Sequence, residues 1–278
     1  MRVPTPRHDY AGTIGAIADL VRAGEEAVGA TVTVGIGIPG APSRVTGLIK
    51  NANSTWLNQK PLHADLESAL GREVRLANDA NCLVMSEAAD GAAAGAGVVF
   101  GVILGTGTGG GVVVDGRLLE GANAIGGEWG HNPLPWPDAT EWPGQTCYCG
   151  RTGCIETWLS GPALAREYTL AAGDVVPGEV VVARAGAGEP AACETLATWE
   201  GRLARSLATV INLLDPDVIV VGGGLSRIPG IYERVPARWA EWTFSDVVST
   251  RFVPAAYGDA SGVRGAAWLW PLYTHPTS

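Results

Sequence analysis

Three thiols fall within eight positions of this chain, in Cys147-Tyr148-Cys149-Gly150-Arg151-Thr152-Gly153-Cys154. Gly150 and Gly153 let the backbone curl around one centre. Structural zinc takes four nitrogen or sulfur ligands in a tetrahedron. His131, in Gly127-Glu128-Trp129-Gly130-His131, is the expected fourth ligand beside Cys147, Cys149 and Cys154. Three ordinary buried thiols and a core histidine are the plainer alternative. A disulfide is disfavoured, because Cys147 and Cys149 are too close in sequence to pair easily. A closed zinc site would not carry chemistry itself. It would pin the loop holding Glu128 and His131 to the loop leading into Glu156. A metal-bound histidine has a second ring nitrogen that must meet a partner, and a ligand hydroxyl could serve.

Two glycine clusters and one carboxylate point to phosphate chemistry. Thr106-Gly107-Thr108-Gly109-Gly110-Gly111 sits between two apolar runs. Glycines let backbone N–H groups approach phosphate oxygens, and threonine hydroxyls add donors. No Gly-Lys-Ser/Thr follows, so this is not a Walker loop; alone it could be a flexible turn. Val218–Val221 feeds Gly222-Gly223-Gly224, a strand-to-turn junction of the kind that covers nucleotides in α/β sheets. Together the two clusters argue for a nucleotide cleft. Asp79, in Asn78-Asp79-Ala80-Asn81, stands where a strand meets a helix. It could be a helix cap. It could also be the general base that phosphoryl transfer to a hydroxyl requires. Asn78, Glu128, His131 and Glu156 would supply the fixed polar groups that a sugar needs.

Helices and strands must position these groups. The pattern predicts helices from Asp9 to about Gly29, over Leu62–Leu70, and from Asn78 to about Ala94. It predicts strands at Thr31–Ile38 and Glu73–Leu76. A hairpin of Val98–Leu104 and Gly111–Val114 opens a second half. An irregular stretch runs to Gly153. Helices are expected at Ile155–Leu159, Pro162–Leu170, Glu194–Leu214 and Gly262–Leu269, with a strand at Val218–Val221. This alternation reads as α/β.

Composition bounds the alternatives. The 278 residues are 46% hydrophobic and 17% charged, enough apolar content for a real core. A net charge of -9 disfavours nucleic acid, which needs a basic surface. The uncharged stretch between Asp90 and Asp115 is long enough to span a bilayer, but its glycines favour two buried strands. With no signal segment and a clustered, odd set of five cysteines, a reduced cytoplasmic protein away from membranes is expected.

Glu128-Trp129-Gly130-His131 followed by Cys147-x-Cys149-Gly150-x-x-Gly153-Cys154-x-Glu156 resembles the signature of the ROK family of sugar kinases and repressors. The resemblance covers nearly the whole chain. Asn51–Asn58, His131–Trp136 and Ser261–Trp270 resemble the family's bacterial fructokinases of the manno(fructo)kinase type. The resemblance implies an actin-like ATPase (ribonuclease H-like) fold with two lobes and a cleft. Residues 1–95 would form one lobe, completed by 262–278, and residues 96–261 the larger lobe with the zinc loop.

It further implies that Asp79 takes the proton of a sugar 6-hydroxyl, with Asn78, Glu128, His131 and Glu156 on the sugar. Gly107–Gly111 would hold the phosphates of ATP, Gly222–Gly224 the adenosine side, and Mg²⁺ would offset phosphate charge. A homodimer phosphorylating fructose is the expectation. Mannose, glucose or an N-acetylhexosamine are alternative substrates, and non-catalytic sugar binding is another outcome. A DNA-binding repressor is disfavoured, because no helix-turn-helix segment precedes the kinase-like part. Family members begin with a strand carrying Asp-x-Gly-Gly-Thr, and this sequence has none. A late start assignment, a shortened chain and a true loss all fit that. Weak or no turnover is expected of a chain that begins at Met1.

Overall fold

The structure, a computed structural model, describes residues 1–270. Helix α1 (Tyr10–Val28) opens where Asp9 accepts the Gly12 N–H at 2.8 Å and closes at Gly29, which adopts a left-handed φ of 69°. Its stripe of Ile14, Ile17 and Val21 packs on Leu57, Leu62, Leu66 and Val74. Strand β1 (Val34–Ile38) starts later than the expected Thr31, because residues 31–33 are exposed and unpaired with any strand. The short strands β2 (Ala41–Pro42) and β3 (Ile49–Lys50) pair as an antiparallel arm. After α2 (Leu62–Leu70), β4 (Val74–Asn78) lies parallel to β1, Val34 opposite Val74 and Ile38 opposite Asn78.

Helix α3 (Asp79–Ala89) runs between the two halves, with Ala80, Cys82, Leu83, Val84, Ser86 and Glu87 all buried. It stops at Asp90, short of the expected Ala94. The second half is a five-stranded sheet in the order β7-β6-β5-β8-β9. Its hairpin joins β5 (Val98–Leu104) and β6 (Thr108–Val114), with Gly101 opposite Gly111. The predicted turn is therefore too long, since Thr108, Gly109 and Gly110 are strand residues as well. A Cβ on Gly111 would strike Val84 and Asn81, and one on Gly110 would strike Trp129 and the Gly127 carbonyl. These glycines admit neighbours to the sheet. The uncharged stretch is thus a buried hairpin, and among the described residues no helix is long and apolar enough to cross a membrane.

Strand β7 (Arg117–Leu118) leads into the irregular segment. Helices α4 (Glu156–Leu159), α5 (Gly161–Ala172) and α6 (Gly178–Gly186) follow, α6 not being foreseen. Helix α7 (Pro190–Leu214) starts at Pro190 instead of Glu194, since proline suits a first helical turn. It buries Trp199, Leu203, Leu207 and Ile211 against the sheet. Strand β8 (Val218–Gly222), helix α8 (Ile231–Arg234) and strand β9 (Arg251–Pro254) complete this half; β9, too short to show a period, was not expected. Helix α9 (Ser261–Ala267) returns to the first half. It packs so closely that a Cβ on Gly35 would strike the Ala266 carbonyl and one on Gly265 the Cys82 carbonyl. Trp270 Nε1 donates to the Val34 carbonyl at 2.9 Å, and the Arg75 guanidinium stacks 4.1 Å from the Trp270 ring. Residues 271–278 of the expected C-terminal contribution lie outside the described residues.

Two buried polar hubs tie the parts together. Glu87, on α3, accepts from the N–H groups of Ala92 and Ala256 at 2.9 Å and from the Ser261 hydroxyl at 2.8 Å. Glu141, in the irregular segment, accepts from Arg202 Nε at 2.8 Å and from Arg205 at 2.5 and 2.6 Å, both arginines on α7.

Candidate active site

The cleft between the halves has a volume of about 330 Å³, within the usual range of small-molecule sites. Asp79, the first residue of α3, is set by its neighbour. The Asn78 side chain caps the helix by accepting the Ala80 N–H at 2.9 Å, while its amide reaches the Gly40 carbonyl at 3.3 Å. Asp79 Oδ1 shares that Ala80 N–H at 2.8 Å. Asp79 is therefore at a helix start and on the cleft wall at once, so the two sequence readings are compatible. Burial pushes its carboxyl above the ordinary range. Glu128 is raised as well, first by burial and then by the charges of Asp79 and Glu156. Glu156, heading α4, accepts the Thr108 N–H at 3.1 Å.

Asn78, Asp79, Glu128, His131 and Glu156 all line this cleft, as do Thr106, Gly107, Thr108, Gly109 and Gly110. Gly111 does not; it faces α3. Thr108 is 4% exposed, and its hydroxyl has no partner among the described residues. A buried donor beside backbone glycine N–H groups suits a phosphate oxygen. A second, more apolar cavity of about 670 Å³ meets the first at Thr106. Gly224, Leu225, Pro162 and Pro177 are on its walls. Of the three glycines expected to hold adenosine, Gly224 alone lines it. Gly222 is packed against Leu83, and Gly223, at φ 86°, makes the turn against the Leu104 carbonyl. Their small size serves packing and chain reversal.

His131, Cys147, Cys149 and Cys154 bring one ligand atom each to within 4.8 Å of one another. His131 Nδ1 lies 3.5 Å from Cys147 Sγ, and Cys149 Sγ lies 3.6 Å from Cys154 Sγ. Two sulfurs at about 2.3 Å from a tetrahedral zinc would stand at about this separation. Burial and the neighbouring sulfurs push the Cys154 thiol up to about 12; a dication would reverse that. The donor set fits structural zinc.

Among the polar side chains of the cleft, the sequence reading missed Lys50, Asn51, Asn53 and Tyr148. The first three ride on the β2–β3 arm, which folds back at Gly40 (φ 79°), where a Cβ would strike the Lys50 carbonyl. Asn51 and Asn53 are polar residues within a stretch already singled out, which was the available signal. The rest of that stretch is structural. Asn58 bonds the Ala52 backbone twice at 2.9 Å, and Trp56 Nε1 donates to Thr13 at 3.2 Å.

These features define a two-lobed α/β protein of the actin-like ATPase fold, with a polar cleft abutting an apolar one. The chain belongs to the ROK family, which it matches over residues 1–272. It is 40% identical over 273 residues to an N-acetyl-D-glucosamine kinase of Pectobacterium atrosepticum, covering 96% of this chain and 90% of that one. A similarly named Escherichia coli O157:H7 protein is 39% identical over 272 residues, with the same coverage. The structure resembles that of a ROK hexokinase from Thermus thermophilus, with a TM-score of 0.85 and 32% identity over 96% of this chain and 88% of that one. It also resembles a ROK family glucokinase from Streptomyces griseus in complex with glucose and AMPPNP, at a TM-score of 0.77 and 27% identity over 97% and 90%. The two curated relatives are N-acetyl-D-glucosamine kinases and lend no support to fructose. Of the fructokinase-like stretches, Asn51, Asn53 and His131 reach the cleft, Trp56 and Asn58 brace the arm, and Ser261–Ala267 is α9, packed on β1 and α3.

Proposed function

We propose that this chain is an ATP-dependent sugar kinase that phosphorylates the 6-hydroxyl of N-acetyl-D-glucosamine. The observation that carries the reading is Asp79, a carboxylate whose pKa is raised by desolvation, lining one cleft with Asn78, Glu128, Glu156 and the Thr106–Gly110 backbone. The 39–40% identity to N-acetyl-D-glucosamine kinases supports the choice of sugar.

In this reading Asp79 accepts the proton of the 6-hydroxyl as that oxygen attacks the γ-phosphorus of Mg-ATP, and ADP leaves. Raising the carboxyl's pKa brings it nearer the working pH, which favours proton transfer. Glu128, Glu156 and Asn78 orient the sugar, so that the attacking oxygen is in line before transfer. The Gly107–Gly110 N–H groups and the Thr108 hydroxyl hold phosphate oxygens, and the apolar cavity beside Gly224 takes the adenine. Zinc on His131, Cys147, Cys149 and Cys154 supplies rigidity by joining the Glu128 and Glu156 loops. The homodimer expected from the family likeness belongs to the same proposal and is tested by sizing in solution.

The experiment is ADP release by the 278-residue chain with Mg-ATP and a panel of hexoses. Turnover with N-acetylglucosamine above that with fructose, mannose or glucose is expected, at a rate below the roughly 1–100 per second of kinases because the sequence carries no Asp-x-Gly-Gly-Thr strand. Silence with every sugar, in this chain and in one extended at its N-terminus by an Asp-x-Gly-Gly-Thr strand, would sink the kinase reading. Faster turnover with fructose would restore fructose as the substrate.

A further inference from the structure

We propose that Tyr148 is a specificity-determining residue, its hydroxyl and ring recognising the N-acyl substituent of the sugar. This deepens the kinase reading above and rests on it. His131 directs Nδ1 at the sulfur cluster, 3.5 Å from Cys147 Sγ. A neutral imidazole that gives one nitrogen to the ligand cluster carries its proton on the other. That other nitrogen, Nε2, lies 3.0 Å from Tyr148 Oη, so His131 donates and the phenol accepts. The partner of the second ring nitrogen is thus a protein side chain, not the ligand hydroxyl expected from the sequence. The two rings meet edge to face at 5.1 Å, which fixes the tyrosine over the cleft.

A phenol oxygen that accepts still has its own O–H to donate. Among the described residues Tyr148 Oη has no hydrogen-bond partner but His131, and the residue is 70% exposed. Its free donor and one ring face are therefore available to a ligand in the cleft. No other side chain there offers both: Pro39, Ile103, Ala124 and Ile125 are apolar but have no side-chain donor. Asp79, Glu128 and Glu156 are acceptors suited to hydroxyl donors. Lys50, Asn51 and Asn53 can donate but have no broad apolar face. An acetamide needs a donor for its carbonyl oxygen and apolar surface for its methyl. A free hydroxyl at the same sugar carbon needs neither, so Tyr148 would separate N-acylhexosamines from plain hexoses.

The test compares wild type with Tyr148→Phe and Tyr148→Ala on N-acetylglucosamine and glucose. Steady-state kinetics is paired with calorimetric sugar binding in the absence of nucleotide. Tyr148→Phe should weaken N-acetylglucosamine binding and raise its KM about five- to tenfold, with kcat unchanged and glucose affected by less than about twofold. Tyr148→Ala should widen the gap further by removing the ring. Zinc content and melting temperature equal to wild type would show that the metal loop stands. If Tyr148→Ala loses zinc, Tyr148→Phe decides alone. Equal effects on both sugars, or no effect on either, would overturn the proposal while leaving the kinase reading intact. A wild-type protein that binds glucose as well as N-acetylglucosamine would overturn the sugar assignment itself, and this inference with it.

Discussion

Asp79 experiences two opposing demands. Burial destabilises its charge, and the proposed chemistry requires that charge. A carboxyl whose folded pKa lies above its unfolded value costs stability once ionised. That cost is absent below the unfolded pKa and complete above the folded one. Asp79→Asn should therefore raise the melting temperature at neutral pH while lowering turnover by at least about 10²-fold, the scale of a lost general base. Wild-type kcat/KM should show an acid limb above the usual aspartate value of about 3.9. A limb at or below that value, or an unchanged melting temperature in Asp79→Asn, would contradict this account. Much at this scale was legible in the sequence. Asp79, Glu128, His131, Glu156 and the cysteines are distinctive residue types at distinctive spacings. Tyr148 was hidden because it occupies the variable position of a Cys-x-Cys pair, where its only notable property is where the loop aims it.

Elements here are held by buried carboxylates as well as by apolar faces. Glu87 on α3 gathers the chain after that helix, the chain after β9, and the start of α9. Glu87→Ala leaves those donors buried without a partner, and a loss of about 3–5 kcal/mol in unfolding free energy is expected by denaturant titration. Glu141 behaves differently with pH. Burial alone would raise its pKa, but the hydrogen bonds from Arg202 and Arg205 outweigh it and hold the carboxyl low. Its stabilising effect is present above the ordinary glutamate value of about 4.3 and is lost as pH falls through the lower folded value. Thermal melts should drop across that acid range, and Glu141→Gln, destabilised at neutral pH, should show a smaller acid-dependent drop. Long periodic elements such as α1 and α7 were readable from spacing. The glycine-rich start of β6 was not, because Gly109 and Gly110 answer to Ala80 and Trp129, which are distant in sequence. Short β9 and α6 lacked enough residues to establish a period. Stripping the metal with a chelator should free the loop between Glu128 and Glu156. A lower melting temperature, and a sugar KM raised more than the ATP KM, are the expected readouts.

At the scale of the molecule, α3 is shared: it starts at the cleft, underlies the five-stranded sheet through Val84, and receives α9 through Cys82. The two-lobed architecture was readable from the alternation of elements and from the family likeness. The return of the chain to its first lobe came from the likeness alone, since nothing local in Ser261–Ala267 names β1 as its neighbour. A chain ending at residue 260 should lose cooperative unfolding of the first lobe, because it uncovers Gly35, Cys82 and the Val34 carbonyl together. Calorimetry would register that as a broadened or split transition; a single sharp one would refute it. The same return sets an order of events during synthesis. Strand β1 emerges from the ribosome more than 200 residues before the helix that covers it. The sheet from β5 to β9 has all its strands before α9 exists. The first lobe is therefore closed only after the strands of the second are made, and a ribosome stalled before residue 261 would carry an open first lobe for chaperones to guard.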